Sequence, residues 1–366
     1  MRIGVVADCH IGNHQLFKGK SEAGINERCK AALRALKTMY LLAAVKGVDR
    51  IYIAGDLFDT SSPSPQIVAA VMDIIAEADE EPGSRTSHRR IETVILKGNH
   101  DSNSPNPGDH ALGPLTHVAR VVAESATTMG NVLLFPFQPK PAEWLHDAFA
   151  FIRPPPGTVV ISHFGIADAS TPSYMQHGGV SEKLLDSLAE EYRLGAWLSG
   201  DWHAHKQFHL PSAPSCQTYQ IGALVPTGFD NPGGDELYGS LLVFDPLDPA
   251  STMDRVVVVG PRFYYSPDEP GMSPLTYIKL RIDQAHREEE CAEAVAAGAL
   301  GGYVLAPDTE TAAPATGAQV ADEFAAAEVS NVDEALDAYV DKMPGLDPAT
   351  RTEVKDLCRK YLHAGK

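Results

Sequence analysis

Ile51-Tyr52-Ile53-Ala54-Gly55-Asp56-Leu57-Phe58-Asp59 is an apolar, β-branched run that stops on Gly-Asp and passes into a loop. Such a run reads as a strand that delivers a carboxylate from its end. The same unit recurs along the first 203 residues. Upstream, Arg2-Ile3-Gly4-Val5-Val6-Ala7 leads into Asp8-Cys9-His10. Downstream, Thr93-Val94-Ile95-Leu96 precedes Gly98-Asn99-His100-Asp101. Thr158-Val159-Val160-Ile161 precedes His163, and Ala196-Trp197-Leu198-Ser199 precedes Gly200-Asp201-Trp202-His203. Asn131-Val132-Leu133-Leu134 reads as a further strand.

Helical stretches alternate with these strands, as in an α/β domain. Glu27 to Val45 places Ala31, Leu33, Leu36, Met39, Leu42 and Ala43 at helical spacing. A second helix is expected near Ile67–Ala78, followed by a polar connection over residues 80–90. Beyond His203 the pattern changes. Gln217–Ile221, Gly239–Phe244 and Arg255–Val259 read as strands separated by Gly/Pro-rich turns, with no helices between them. They suggest a second sheet packed on the first, a two-sheet β-sandwich flanked by helices in four αββα layers. The expected domains are residues 1–260, a linker at 261–275 rich in Pro, Tyr and Ser, and a small C-terminal α+β region at 276–366. In that region Leu275–Ile282 reads as a strand, Pro307–Gly317 as a loop, and Ala285–Ala297, Val332–Val340 and Pro348–Leu362 as helices.

Composition bounds the partners. The chain has 366 residues, 44% of them hydrophobic, and a formal net charge of −18. That balance argues against a generally basic nucleic-acid binder. Part of it is local: nine acidic residues and no Lys or Arg fall between Asp308 and Asp341. Either a solvated acidic segment or a surface for a basic partner explains them. No apolar N-terminal segment follows a basic start, so neither a signal peptide nor a membrane span is expected. The five cysteines, Cys9, Cys29, Cys216, Cys291 and Cys358, are scattered and odd in number. They give no disulfide framework or thiolate zinc site, which fits a cytoplasmic location.

The chemistry lies in the strand ends. Carboxylate, imidazole and amide-oxygen donors without paired thiolates suit Mn²⁺, Mg²⁺, Fe²⁺ or Zn²⁺. Two such ions roughly 3.5–4 Å apart clamp the attacking and leaving oxygens of a phosphate ester. Asp8 and His10, two residues apart, point the same way if the backbone is extended. Asp56 could bridge two cations, and Asn99 offers a neutral oxygen. His100 could protonate a leaving oxygen, with Asp101 holding its imidazole in the working tautomer. A helix cap, a turn carboxylate or a satisfied core histidine would explain any one fragment alone. Five in this order, each at a strand end, are not explained that way.

Together these lines resemble the calcineurin-like metallophosphoesterase superfamily. Ala7-Asp8-Cys9-His10-Ile11-Gly12, Ala54 through Pro65 and Tyr219-Gln220-Ile221-Gly222-Ala223-Leu224 are most similar to the SbcD-type nuclease subunits of double-strand-break repair complexes. The resemblance covers roughly residues 1–245. It implies two divalent ions, Mn²⁺ foremost, with Asp8, His10 and His203 on the first, Asn99, His163 and Asp201 on the second, and Asp56 between them. His100 would be the acid or transition-state stabiliser. It further implies a DNA substrate, a role in repair or recombination, a homodimer and an SMC-like coiled-coil ATPase partner, for which residues Val332–Leu362 are a docking candidate by position. The family pattern is Gly-His-x-His where this chain has Gly200-Asp201-Trp202-His203-Ala204-His205. A second register therefore pairs His203 with His205 and leaves Asp201 outside the ligand set, and Asp59 is a further outer candidate. A stand-alone phosphodiesterase or phosphatase, and a non-catalytic scaffold, remain the other readings. His14, Lys18, Lys20 and Arg28 are either phosphate contacts or ordinary loop and helix-start residues. His110, His117, His177 and His209 read as structural, and Trp197 and Trp202 as packing residues.

Overall fold

The computed structural model describes residues 1–14, 21–80, 90–104, 106, 108–169, 171, 179–226, 238–249, 253–258, 260, 262–264, 276–278, 352 and 355. By internal contacts the chain divides into two units, Met1–Ser170 with Gly178–Asp308, and Thr171–His177 with Thr309–Lys366. The first carries the fold that follows.

Twelve strands form two six-stranded sheets. They are β1 (Ile3–Val6), β2 (Arg50–Ile53), β3 (Glu92–Leu96), β4 (Arg120–Val122), β5 (Thr127–Met129) and β6 (Val132–Phe135). The rest are β7 (Val159–Ser162), β8 (Ala196–Ser199), β9 (Lys206–Phe208), β10 (Gln217–Gln220), β11 (Ser240–Phe244) and β12 (Asp254–Val257). Sheet I runs β12-β11-β1-β2-β3-β4, parallel from β1 to β4 and antiparallel at β11 and β12. Sheet II runs β9-β10-β8-β7-β6-β5, parallel except at its edge strands β9 and β5. Among the helices, α1 (Glu27–Val45) and α2 (Pro65–Glu80) serve sheet I, and α3 (Pro141–Ile152) and α4 (Glu182–Tyr192) serve sheet II.

Three apolar cores separate four layers. Ile3, Val5, Tyr52, Val94 and Leu96 of sheet I meet Val132, Leu134, Val159, Ile161 and Leu198 of sheet II. On its outer face sheet I sends Val6, Ile51, Ile53 and Ile95 against Leu36, Met39, Val71 and Ile75. Sheet II sends Leu133, Phe135, Val160 and Trp197 against Leu145, Phe149, Leu185 and Leu188. The central strands are therefore buried on both faces, which is why they read as continuous apolar runs rather than alternating ones. The expected αββα architecture is present. Helix α1 starts where Asn26 accepts a hydrogen bond from the Cys29 N–H at 2.8 Å, an N-cap that satisfies one exposed helix donor.

The composition of the second sheet differs from the sequence expectation. Only β10 of the three late strands belongs to sheet II, whereas β11 and β12 extend sheet I, with Ile3 opposite Phe244. Sheet II instead begins at Thr127 and repeats the strand–helix unit through α3 and α4, because parallel neighbours require a crossover. Both helices carry start signals, a Pro at the first helical position of α3 and Ser181 capping α4. Within the expected linker, Arg262–Tyr264 pairs in parallel with Thr276–Ile278. The expectations for residues 80–90, Lys18, Lys20 and His177, for the helices at 285–297, 332–340 and 348–362, and for the acidic run from Asp308 to Asp341 lie wholly or almost wholly outside the described residues. Among the described residues no helix is long and apolar enough to cross a membrane.

Candidate metal centre

Beyond the ends of β1 and β2 the chain keeps parallel loops in step. The N–H groups of Asp8, His10 and Ile11 donate to the carbonyls of Gly55, Asp56 and Leu57 at 2.9–3.2 Å. The extended backbone expected for Asp8-Cys9-His10 is not what aligns their side chains. Asp8 (φ 51°), His10 (φ 44°), Asp56 (φ 49°) and Asp201 (φ 84°) all occupy the left-handed region. Asp enters that region more readily than most residues, and such conformations gather at functional sites. Alternate kinks thus turn Asp8 and His10 inward, while Cys9 packs in the core beneath α1.

Glycines let the loops approach. A Cβ on Gly98 would collide with the Asp56 carboxylate, and one on Gly55 or Gly200 would strike or crowd His163.

Asp8, His10 and His203 form one cluster, and Asp8, Asp56 and His163 another, each with donor atoms within 4.8 Å of one another. In the first, His10 Nε2 and His203 Nε2 stand 3.0 Å apart. Asp8 accepts the Asp201 N–H on its two oxygens at 3.0 and 3.1 Å. In the second, His163 Nδ1 donates to the Ala54 carbonyl at 2.7 Å, which turns Nε2 toward Asn99 Oδ1 at 2.9 Å. Asp201 Oδ1 lies 3.9 Å from the same Nε2, and Asp201 Oδ2 accepts from the Gly165 N–H at 3.0 Å. Asp56 spans both clusters: Oδ1 is 3.4 Å from His163 Nε2 and Oδ2 is 3.7 Å from His10 Nε2. Its Oδ1 also accepts the His100 N–H at 2.8 Å.

The His10 and His203 nitrogens face each other at ligand spacing, and the His163–Asn99 pair does the same. With Nδ1 donating to the Ala54 carbonyl, neutral His163 Nε2 and the Asn99 amide oxygen are both acceptors, a pairing that a proton or a cation between them would satisfy. The charge state agrees. Burial, reinforced by Asp56 and Asp201, lifts the Asp8 carboxyl to about 7. Burial opposes protonation of His163, but Asp56, Asp8 and Asp201 outweigh it and raise that imidazole well above its ordinary value. Burial and then His10 depress His203 to about 3, leaving it a neutral donor ligand. Burial raises Asp201 as well. Buried carboxylates in this number are costly unless paired with cations, and the donor set fits divalent ions.

The surrounding groups orient this set. Asp59 Oδ1 lies 3.5 Å from His10 Nδ1, a buried nitrogen with no hydrogen-bond partner among the described residues, and Asp59 Oδ2 lies 3.3 Å from His14 Nδ1. His14 Nε2 is 3.1 Å from the His10 carbonyl. Sequence reasoning assigns Asp101 to the His100 imidazole, and the structure gives that place to a backbone group: His100 Nδ1 donates to the Asp59 carbonyl at 2.8 Å. Fully buried, Asp101 instead accepts from the N–H groups of Gly98 (2.9 Å) and Phe58 (3.1 Å) and fixes the two loops. His205 turns away, donating to the Ile221 carbonyl at 2.8 Å and stacking on Tyr219. The floor (Asp8, His10, Asp56, His163) is buried, and the rim (Asn99, His100, Asp201, His203) meets solvent. Two contributors escaped sequence reasoning: the Gly165 N–H carries no side-chain signal, and Ala54 acts through its carbonyl.

A two-sheet α/β sandwich with carboxylates, imidazoles and an amide converging beyond its strand ends presents a donor set fitted to divalent ions. The model of the calcineurin-like phosphoesterase family matches residues 1–205, and the chain belongs to that family. No curated protein matches the sequence. Among solved structures, a protein of Thermus thermophilus is 15% identical with a TM-score of 0.44, covering 70% of this chain and 99% of that one. A dimetal phosphatase from Danio rerio is 10% identical with a TM-score of 0.39, covering 66% and 95%. A purple acid phosphatase from yellow lupin seeds is 14% identical with a TM-score of 0.39, covering 66% of this chain and 48% of its own.

Proposed function

We propose that this chain is a metal-dependent nuclease that hydrolyses phosphodiester bonds of DNA. The observation that carries the hydrolytic part is the pair of facing donor sets joined by Asp56, His10 with His203 and His163 with Asn99. Asp8, His10 and His203 would hold one divalent ion and Asn99, His163 and Asp201 the other, with Asp56 shared. Asp201 and His203 face this centre and His205 does not, which favours the first register. Mn²⁺ is the first choice of ion, given the carboxylate load. When bound, such ions polarise the phosphoryl group and make water nucleophilic at neutral pH.

The chain's own residues supply the rest. With Nδ1 committed to the Asp59 carbonyl, His100 presents Nε2 to the solvent side, its ring edge-on to His10 at 4.7 Å between centroids. Protonated there, it donates to the leaving oxygen, a contribution of about 10²–10⁴ in rate. The solvent-facing rim supports a substrate that approaches from outside rather than one that must be enclosed. The DNA assignment draws on the likeness of residues 54–65 and 219–224 to SbcD-type subunits. In this reading an SMC-like ATPase and a second copy of the chain are the partners.

The net charge of −18 favours a second reading, a stand-alone phosphodiesterase or phosphatase on small substrates, since a polyanion is repelled by such a chain. Linear double-stranded DNA and a chromogenic phosphodiester, each incubated with the protein in Mn²⁺ beside a His100→Ala variant, separate the two. DNA cleavage lost in the variant supports the nuclease. Turnover of the small ester with intact DNA selects the second reading. Inactivity on both without bound metal rejects hydrolysis altogether.

A further inference from the structure

The two halves of the centre differ in chemistry once the shared Asp56 is set aside. One half has two imidazole nitrogens, His10 and His203 Nε2, with the Asp8 carboxylate, which also stands in the cluster around His163. The other has a single imidazole nitrogen, from His163, beside the amide oxygen of Asn99 and the carboxylate of Asp201. Imidazole suits Zn²⁺ and Fe²⁺, whereas carboxylate and carbonyl oxygens suit Mg²⁺ and Mn²⁺.

Asp201 is held for this task. The Gly165 N–H occupies Oδ2, which leaves Oδ1 as the atom directed at His163 Nε2. Its own N–H meanwhile grips the Asp8 carboxylate of the opposite half. Its backbone at φ 84° keeps the side chain short, since Asp and Asn tolerate that region far better than bulky residues.

Building on the two-metal reading above, we infer that Asp201 makes the centre heterodinuclear. The His10–His203 half retains a borderline ion such as Zn²⁺ tightly, and the Asn99–Asp201 half takes a harder ion such as Mn²⁺ in faster exchange. Asp201 is thus a specificity-determining residue for the metal.

The test loads the full chain, Asp201→Asn and His203→Asn with equal Zn²⁺ and Mn²⁺. Metal content is read by mass spectrometry after dialysis, and Mn²⁺ binding at equilibrium by the resonance signal of the free ion. The unaltered chain should keep one zinc and bind one Mn²⁺ reversibly. Asp201→Asn should weaken Mn²⁺ binding by about tenfold or more and keep its zinc. His203→Asn should lose the zinc and still bind Mn²⁺. Two zincs retained alike by the unaltered chain, or an Asp201→Asn variant that loses both ions equally or neither, overturns the inference and leaves the two-metal reading standing. A chain that binds neither ion overturns both. Circular dichroism reports whether each variant is folded; should Asp201→Asn unfold, the zinc and manganese content of His203→Asn decides.

Discussion

His10 and His203 aim their Nε2 atoms at each other across 3.0 Å, one imidazole following β1 of sheet I and the other following β8 of sheet II. A cation held between them ties the two sheets. Removing it with a chelator should therefore lower thermal stability. At an ion concentration about 100 times its dissociation constant the linkage is about 2.7 kcal/mol, or on the order of 3–5 °C in Tm for a chain of this size. Scanning calorimetry with and without chelator checks this, and an unchanged Tm would remove the cation from the fold's support.

His100 is the exposed member of the set, so its loss should spare the structure. His100→Ala is expected to keep its melting temperature and metal content while turnover of a phosphodiester falls by about 10²–10⁴. A variant as active as the parent would take His100 out of the chemistry.

Gly98 and Gly113 make a matched pair. A methyl on Gly98 enters the Asp56 carboxylate, whereas nothing lies within 4 Å of one on Gly113. Gly98→Ala should cost roughly 1–3 kcal/mol in stability and lose metal, and Gly113→Ala should match the parent in both. Denaturant titration and metal analysis on the two proteins give the comparison, and equal behaviour would contradict the packing described.

Asp101 holds two buried backbone donors rather than the His100 ring. Truncation to Ala leaves both unsatisfied, at about 1–3 kcal/mol each. Asp101→Asn retains one acceptor oxygen and should be roughly half as harmful. Urea melts of both variants decide, and an Ala variant as stable as the Asn one would refute the bracing role.

Asp59 acts through two different groups. Its carboxylate lies against His10 and His14 and its carbonyl against His100. Asp59→Ala removes only the first, so metal affinity should fall about 10–100-fold while any residual turnover at saturating metal keeps the pH profile of the parent. A shifted profile at full loading would show that the side chain also governs His100.

The sequence displays the strand ends and the residues they carry because buried parallel strands are written as apolar runs and the site as polar breaks in them. Hence Asp8, His10, Asp56, Asn99, His163, Asp201 and His203 are legible, and the structure gathers all seven. What supports them is less so. The Ala54 carbonyl, the Gly165 N–H and the Asp59 carbonyl work through backbone atoms that every residue possesses. Strand membership is equally hidden: nothing in Ser240–Phe244 or Gln217–Gln220 names its partner, and only pairing decides that one flanks β1 and the other β8. Asp101 misleads for a related reason, since adjacency to His100 in the chain says nothing of which way a carboxylate turns at a kinked loop.

β1, the first strand of the sandwich to be made, waits for β11 to cover its open edge, with Ile3 opposite Phe244. During synthesis the Asp8 loop thus leaves the ribosome long before its sheet can close, and all six strands of sheet II are made in the interval. An unpaired strand of this kind is an aggregation hazard, and closing so distant a pair is slow. Pairing β11 with β1 is thus a long-range closure over an exposed strand edge, and chaperone dependence during synthesis would concentrate there.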